Sequence, residues 1–148
     1  MVKHNIVITR VPLRISFAGG GTDLPDYYSQ FGGAVLSATI NRYVYVTVKS
    51  HGSLFPDRYR LNYFDSEHAN SIDEIKNNIM RECLRLVPID ESLYVSTVAD
   101  IPTCSGLGSS SAFAVGLLHA LHTKRGDHVT LGQLAEEACD VEINILYL

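Results

Sequence analysis

Apolar and polar residues alternate along "NIVITRVPLRISFAGGG", from Val7 to Phe17, and the alternation stops at three consecutive glycines. Side chains on a strand point to opposite faces in turn. This stretch therefore predicts one or two short strands ending in a glycine turn. Residues 34–40 (AVLSATI) and 43–49 (YVYVTVK) predict two more strands, the second rich in β-branched and aromatic residues. "HGSLFPDR" reads as a turn, and residues 59–64 (YRLNYF) as another strand. The period then changes. Ile72, Ile75, Ile79, Cys83 and Leu86 recur at helical spacing, and Ser71 with Glu74 three residues on has the form of a capping box, so one helix is expected from Ser71 onward. "SLYVSTVAD" is strand-like. Residues 111–122 predict a helix, and "TLGQLAEEACDVEINILYL" predicts another with Thr130 as its cap.

Several strands, a helix, a strand, a glycine–serine loop and two helices make an α+β pattern. The expected architecture is a mixed or antiparallel sheet covered by helices on one face. No internal repeat or low-complexity linker divides it. The last residues, "INILYL", are strongly apolar where a chain end is usually polar and frayed, so the expectation is a chain cut inside a structured region.

Composition narrows the classes. The chain has 148 residues, 46% apolar and 19% charged, which suits one packed domain rather than a disordered segment. A net charge of −4 with no Lys/Arg cluster argues against nucleic acid as a partner. No apolar run has the length of a membrane span, and "MVKHNIVITR" lacks the apolar core and cleavage site of a signal peptide. Three cysteines (Cys83, Cys104, Cys139) without metal-type spacing fit reduced thiols in a cytoplasm. The six histidines are scattered, so no metal cage of His and Cys is expected. His119 and His122 share a predicted helix, one expected to be packed and the other solvated. Tyr43, Tyr45, Tyr59 and Tyr63 are expected to pack on the sheet, and Glu136 and Glu137 to face solvent.

The chemistry concentrates in residues 103–112, "TCSGLGSSSA", which hold two glycines and four serines. Gly106 and Gly108 permit a positive φ and close approach of a ligand to the backbone. Ser109, Ser110 and Ser111 open the following helix, whose first N–H groups have no partner within it and carry the positive end of its dipole. Such a loop either binds an anion or is a plain strand-to-helix turn with a serine cap. It lacks the lysine of a Walker A loop and the spacing of a Rossmann fingerprint. Cys104, with no His or Lys partner nearby, reads as a small loop filler rather than a nucleophile.

"PTCSGLGSSSA", from Pro102 to Ala112, resembles the P-x-x-x-G-L-G-S-S-[SA]-A phosphate loop of the GHMP kinases, the superfamily of galactokinase, homoserine kinase and mevalonate kinase. The resemblance implies the N-terminal domain of that superfamily, a ribosomal protein S5 domain 2-like fold. It also implies ATP as phosphoryl donor and Mg2+. Pro102, Ser105, Gly106, Leu107, Gly108, Ser109, Ser110 and Ser111 would form the nucleotide seat, with Ser110 holding magnesium. "VPLRISFAGGGTDLPDYY" is similar to the superfamily's N-terminal substrate motif. On that likeness Arg14 is the catalytic residue beside the reacting hydroxyl, and Gly19, Gly20, Gly21, Thr22 and Asp23 meet the sugar. Read by themselves, Arg14 is a surface strand arginine and Asp23 a turn residue. Where galactokinase has Glu-His this chain has Gly20-Gly21. That brings it close to the branch holding D-glycero-D-manno-heptose 7-phosphate kinases and fucokinase-type enzymes. "ACDVEINIL" resembles the helix whose glutamate reaches the magnesium, which makes Glu142 the second metal candidate; its alternative is a solvent-facing helix residue.

The resemblance implies a sugar kinase acting on the anomeric hydroxyl of a heptose phosphate. Alternatives are a fucokinase-like hexose kinase and a non-catalytic relative that binds nucleotide or sugar. Its partners would be ATP and a sugar or sugar phosphate, with no nucleic acid and no membrane, and with a homodimer left open. In that branch the catalytic aspartate follows in a Lys-Gln-Asp-Gln stretch, and a second domain closes the cleft. Residues 1–148 contain neither, so they are expected to be the N-terminal ATP-binding domain, truncated at its end and inactive alone.

Overall fold

The computed structural model describes residues 4–102 and 105–146. One five-stranded sheet, in the order β1-β2-β5-β3-β4, carries helices on one face. β1 (Ile6–Ala18) pairs antiparallel with β2 (Leu36–Ser50), and β2 pairs antiparallel with β5 (Leu93–Ala99). β3 (Tyr59–Asn62) runs parallel to β5 and antiparallel to β4 (Ser66–Ala69). The sheet is therefore mixed, one of the two arrangements the pattern allowed.

Alternation builds its buried face. Val7, Thr9 and Leu13 of β1, Val44, Val46 and Val48 of β2, and Leu93 and Val95 of β5 all point to the helices. Each such aliphatic side chain stabilises the fold by about 1.5–3 kcal/mol. Thr9 can lie among them because its hydroxyl donates to the carbonyl of Gly116 at 2.8 Å.

The central helix α3 (Ser109–Arg125) is apolar nearly all round, since Phe113, Leu117, Leu118 and Leu121 pack between the sheet and its helical neighbours. Those neighbours are α2 (Asn78–Leu86) and α4 (Leu131–Cys139). Thr130 caps α4 as predicted, its Oγ1 accepting the Gln133 N–H at 3.1 Å. His122 is buried and His119 exposed, as expected.

Several elements differ from their sequence pattern. The predicted strands at 34–40 and 43–49 are one strand, because β1 supplies partners along its length through shifts of register between Pro12 and Arg14 and between Ser16 and Ala18. "LPDYYSQF" contains a short helix, α1 (Pro25–Phe31), started by a proline in its first turn. The single helix expected from Ser71 is broken into a 3-10 turn (Ile72–Glu74) and α2. The Ser71–Glu74 capping box is present but closes the 3-10 turn, with Glu74 Oε2 accepting the Ser71 N–H at 3.4 Å and the Asn70 N–H at 2.8 Å, whereas α2 is capped by Asn77, its Oδ1 accepting the Met80 N–H at 3.0 Å. Leu86 is accordingly turned out to solvent. α3 begins two residues earlier than predicted. The last helix changes after Cys139 to a π-helical turn (Asp140–Ile145). Glu137 is not simply solvated: its Oε2 lies 2.8 Å from His122 Nε2, while Asp127 Oδ2 lies 2.8 Å from Nδ1. This buried imidazole joins α4 to the turn after α3.

Candidate active site

Where β1 and β5 meet the N-terminus of α3, a cavity of about 810 Å³ opens. Gly108 is the N-cap of α3, with φ 75° and ψ 34°, and no side chain caps the helix. The first helical bond is Ala112 N–H to the Gly108 carbonyl at 3.0 Å, so the N–H groups of Ser109, Ser110 and Ser111 have no partner within the helix. All three serines, with Gly106, Gly108 and Pro102, line the cavity. Ser105 is exposed in the approach to the loop.

Arg14 joins them from the far end of the sequence. Its backbone N–H donates to the Leu107 carbonyl at 3.2 Å, which staples β1 to the loop. Its guanidinium lies against Gly108, where a Cβ would fall 2.8 Å from Cζ and from Nη1. Glycine is thus favoured at 108 by its left-handed backbone, and any Cβ there would also have to displace the flexible end of Arg14. The register shift after Pro12, a residue that cannot donate to the ladder, sets Arg14 at this point while Leu13 stays in the core. Among the described residues lining the cavity, Arg14 is the one that carries a charge. A single cation, three serine hydroxyls and a helix N-terminus, with no carboxylate among the described lining residues, form a seat for an anion such as phosphate.

Another part of the lining, on the β3 side of the sheet, was not anticipated. It is formed by Tyr63, Phe64 and Asn77. The Tyr63 hydroxyl donates to Glu67 Oε1 at 3.2 Å, and burial followed by the Glu67 charge pushes its pKa up to about 12. Tyr63 packs against the core as expected, and it also lines this cavity. The sequence held no signal for this wall, because the break between the 3-10 turn and α2 is what brings Asn77 to it.

The proposed sugar loop lies beside a different cavity, of about 460 Å³, lined by Thr22, Asp23 and Tyr28 and, from the other side, by Cys139 and Ile143. Thr22 Oγ1 lies 2.8 Å from the Gly19 carbonyl and 3.1 Å from that of Ala34, and accepts the Ala34 N–H at 3.2 Å. Asp23 Oδ1 accepts the Gly21 N–H at 2.9 Å. A Cβ on Gly19, at φ 90°, would lie 1.9 Å from the Ala34 carbonyl oxygen. These groups hold the loop in shape. Gly20 has open space around it and an ordinary backbone.

Glu142 is half-buried on the π-helical turn and lines neither cavity. It faces Cys83, whose thiol is pushed well up, first by burial and then by the charges of Glu142, Glu82 and Glu137. Ser110 and Glu142 are thus not brought to one wall, and among the described residues no three His, Cys, Asp or Glu side chains converge as metal ligands. Cys104 lies outside the described residues. No helix among the described residues is long and apolar enough to cross a membrane.

Fold and site together define an α+β domain whose glycine–serine loop opens its central helix. The sequence matches the GHMP kinases N terminal domain over residues 70–146, and the chain belongs to that family. It is 34% identical to the D-glycero-alpha-D-manno-heptose 7-phosphate kinase of Campylobacter jejuni, over 76% of this chain and 36% of that protein. A D-glycero-D-manno-heptose 1-phosphate kinase from Bacteroides thetaiotaomicron superposes with a TM-score of 0.82 at 27% identity, over 97% of this chain and 49% of its own. The mevalonate kinase of Methanococcus jannaschii shares the fold, with a TM-score of 0.71 at 20% identity, over 94% of this chain and 46% of its own. The chain thus spans half or less of the length of these relatives.

Proposed function

We propose that this chain is the nucleotide-binding portion of an ATP-dependent sugar kinase that phosphorylates the anomeric hydroxyl of D-glycero-D-manno-heptose 7-phosphate. The observation that carries this reading is the meeting of the Arg14 guanidinium with Gly108 at the uncapped N-terminus of α3. Similarity to heptose phosphate kinases supports the substrate class, and the share of those relatives that is matched supports reading the chain as one domain of a longer enzyme.

In this reading the amides of Ser109, Ser110 and Ser111 and the loop of Ser105, Gly106, Leu107 and Gly108 cradle the nucleotide phosphates. They are fixed donors that need no reorganisation as charge builds on the transferred group. Arg14 sits where it can neutralise the equatorial oxygens of that group. The Ser110 hydroxyl, which opens into the cavity, is the residue that fits a magnesium ion already held mainly by phosphates and water. Such an ion, held by the Ser110 hydroxyl and the phosphates, would supply charge neutralisation there. Glu142, which does not line this cavity, is outside that seat. Thr22 and Asp23 would serve the sugar chiefly by holding the backbone of Gly20 and Gly21 open to it.

Transfer breaks the bond from the γ-phosphorus to its bridging oxygen and forms one to the sugar oxygen, while the hydroxyl proton passes to a base. Among the described residues the cavity wall carries no carboxylate, histidine or lysine that could take it. The base must therefore come from outside this wall, and the chain alone is expected to bind nucleotide without turnover. Calorimetric titration of residues 1–148 with Mg-ATP tests the reading. Binding weakened by Arg14→Ala is expected, and no heat at millimolar nucleotide would overturn it. In a full-length form, an ADP-release assay with heptose 7-phosphate set against L-fucose tests the substrate.

A further inference from the structure

Glu67 is a carboxylate on the edge strand β4 that is buried rather than solvated, and it is used wholly as an acceptor. Its Oε2 accepts the Lys76 N–H at 2.9 Å. Its Oε1 accepts the Asn77 N–H at 3.2 Å and the Tyr63 hydroxyl at 3.2 Å. A buried carboxylate is costly unless such donors surround it, and the fold has gathered three. Two of them belong to residues that line the same cavity as the phosphate-type loop, on the β3 side of the sheet, separated by β2 and β5 from β1 and its Arg14. One side chain therefore fixes both halves of that wall: the turn after β3 through Tyr63, and the start of α2 through Asn77.

The consequence reaches one residue further. Tyr63 meets Phe64 edge-to-face, with ring centroids 4.8 Å apart at 82°. Phe64 is 85% exposed and lines the same cavity. An exposed aromatic held at a cavity mouth offers a face on which a planar ring can stack. Phe64 packs on Tyr63, whose ring rests against the core and whose hydroxyl is tied to Glu67.

We infer that Glu67 is a positioning residue for the end of the ligand remote from the phosphates: it orders the Tyr63–Phe64–Asn77 wall against which a nucleoside base would lie. The inference rests on the nucleotide reading above. It assigns to Glu67 no contact with the ligand and no part in phosphoryl transfer.

Two probes separate the two ends of the cavity. ATP engages both, whereas inorganic tripolyphosphate engages only the loop. Replacing Glu67 with Leu leaves three donors unpaired, so ATP affinity of the intact chain should fall by about tenfold, while tripolyphosphate affinity stays within about twofold of the parent. Glu67→Gln keeps one acceptor oxygen and should recover part of the loss. It also serves if the Leu variant folds poorly, because the ratio of ATP to tripolyphosphate affinity should still drop. A purely structural role would weaken both ligands together, and that result overturns the inference. So does a parent chain that binds tripolyphosphate as tightly as ATP, since the remote wall then contributes nothing, although the phosphate seat stands. A parent chain that binds neither overturns the nucleotide reading and this inference with it.

Discussion

Arg14 and Gly108 occupy the same small volume: a Cβ on Gly108 would lie 2.8 Å from the guanidinium carbon, and the Arg14 amide bonds to the Leu107 carbonyl beside it. Gly106 provides an internal control. It shares the left-handed backbone, with φ 72° against 75° at Gly108, but a Cβ there meets nothing within 4 Å. Each Gly→Ala change should cost about 1–2 kcal/mol for the backbone alone. Gly108→Ala should cost more by whatever it takes to displace Arg14. That excess should vanish in an Arg14→Ala background, as read by urea unfolding of the parent, the three single variants and the two double variants. An excess that survives without Arg14 would mean that the two residues do not interact.

The loop after β1 separates glycines the fold demands from one it does not. Gly19→Ala drives a methyl into the Ala34 carbonyl at a positive φ and should destabilise by more than about 2 kcal/mol. Gly20→Ala should change stability by less than about 0.5 kcal/mol, since the space is open and the backbone ordinary. If the loop receives the sugar, Gly20→Ala should weaken sugar binding in a full-length form with the melting temperature unchanged. Thr22→Val removes the bonds to Gly19 and Ala34 and should cost about 1–3 kcal/mol, with Thr22→Ser largely restoring it.

Two aspartates set the acid limb of stability. Asp127 is held below the usual carboxylate range by hydrogen bonds from Arg125 and then His122, and Asp57 by its hydrogen bond with His68. A group whose pKa is lowered on folding stabilises the fold above the unfolded value, near 3.8 here, and loses that effect as pH falls toward the folded pKa. Melting temperature should therefore decline as pH drops below about 4. Asp127→Asn and Asp57→Asn should each flatten that decline while lowering stability at neutral pH. A parallel decline in both variants would assign acid sensitivity elsewhere.

The thiols should differ sharply in reactivity. Cys83 is buried, with its pKa pushed well up by burial and then by neighbouring carboxylates, whereas Cys139 is exposed. The thiolate is the reactive form. Iodoacetamide should thus modify Cys139 in the native protein and Cys83 only on unfolding, as read by peptide mass spectrometry. Early labelling of Cys83 would show that α2 opens locally.

What could be read from the chain follows the range of the interactions involved. The glycine–serine loop was legible because a positive φ and an uncapped helix start are properties of adjacent residues. The core strands and α3 were legible because burial repeats with the period of the backbone. The break before α2 was not, since the isoleucine spacing continues across it and Asn77 becomes the cap of α2 only in three dimensions. β4 was missed for a related reason. "SEHA" has no strand pattern until Glu67 finds its donors and β3 its partner.

The sequence by itself determined the layers of the fold and the place where an anion could sit, because alternation, helical period and glycine backbone freedom act over a few residues. Tertiary structure alone decided that Arg14 rests on Gly108, that His122 is held between Asp127 and Glu137, and that Glu67 faces Tyr63 and Asn77. Charged and polar side chains gain from being buried only where partners converge. That convergence is set by strand order and register, which no local pattern contains.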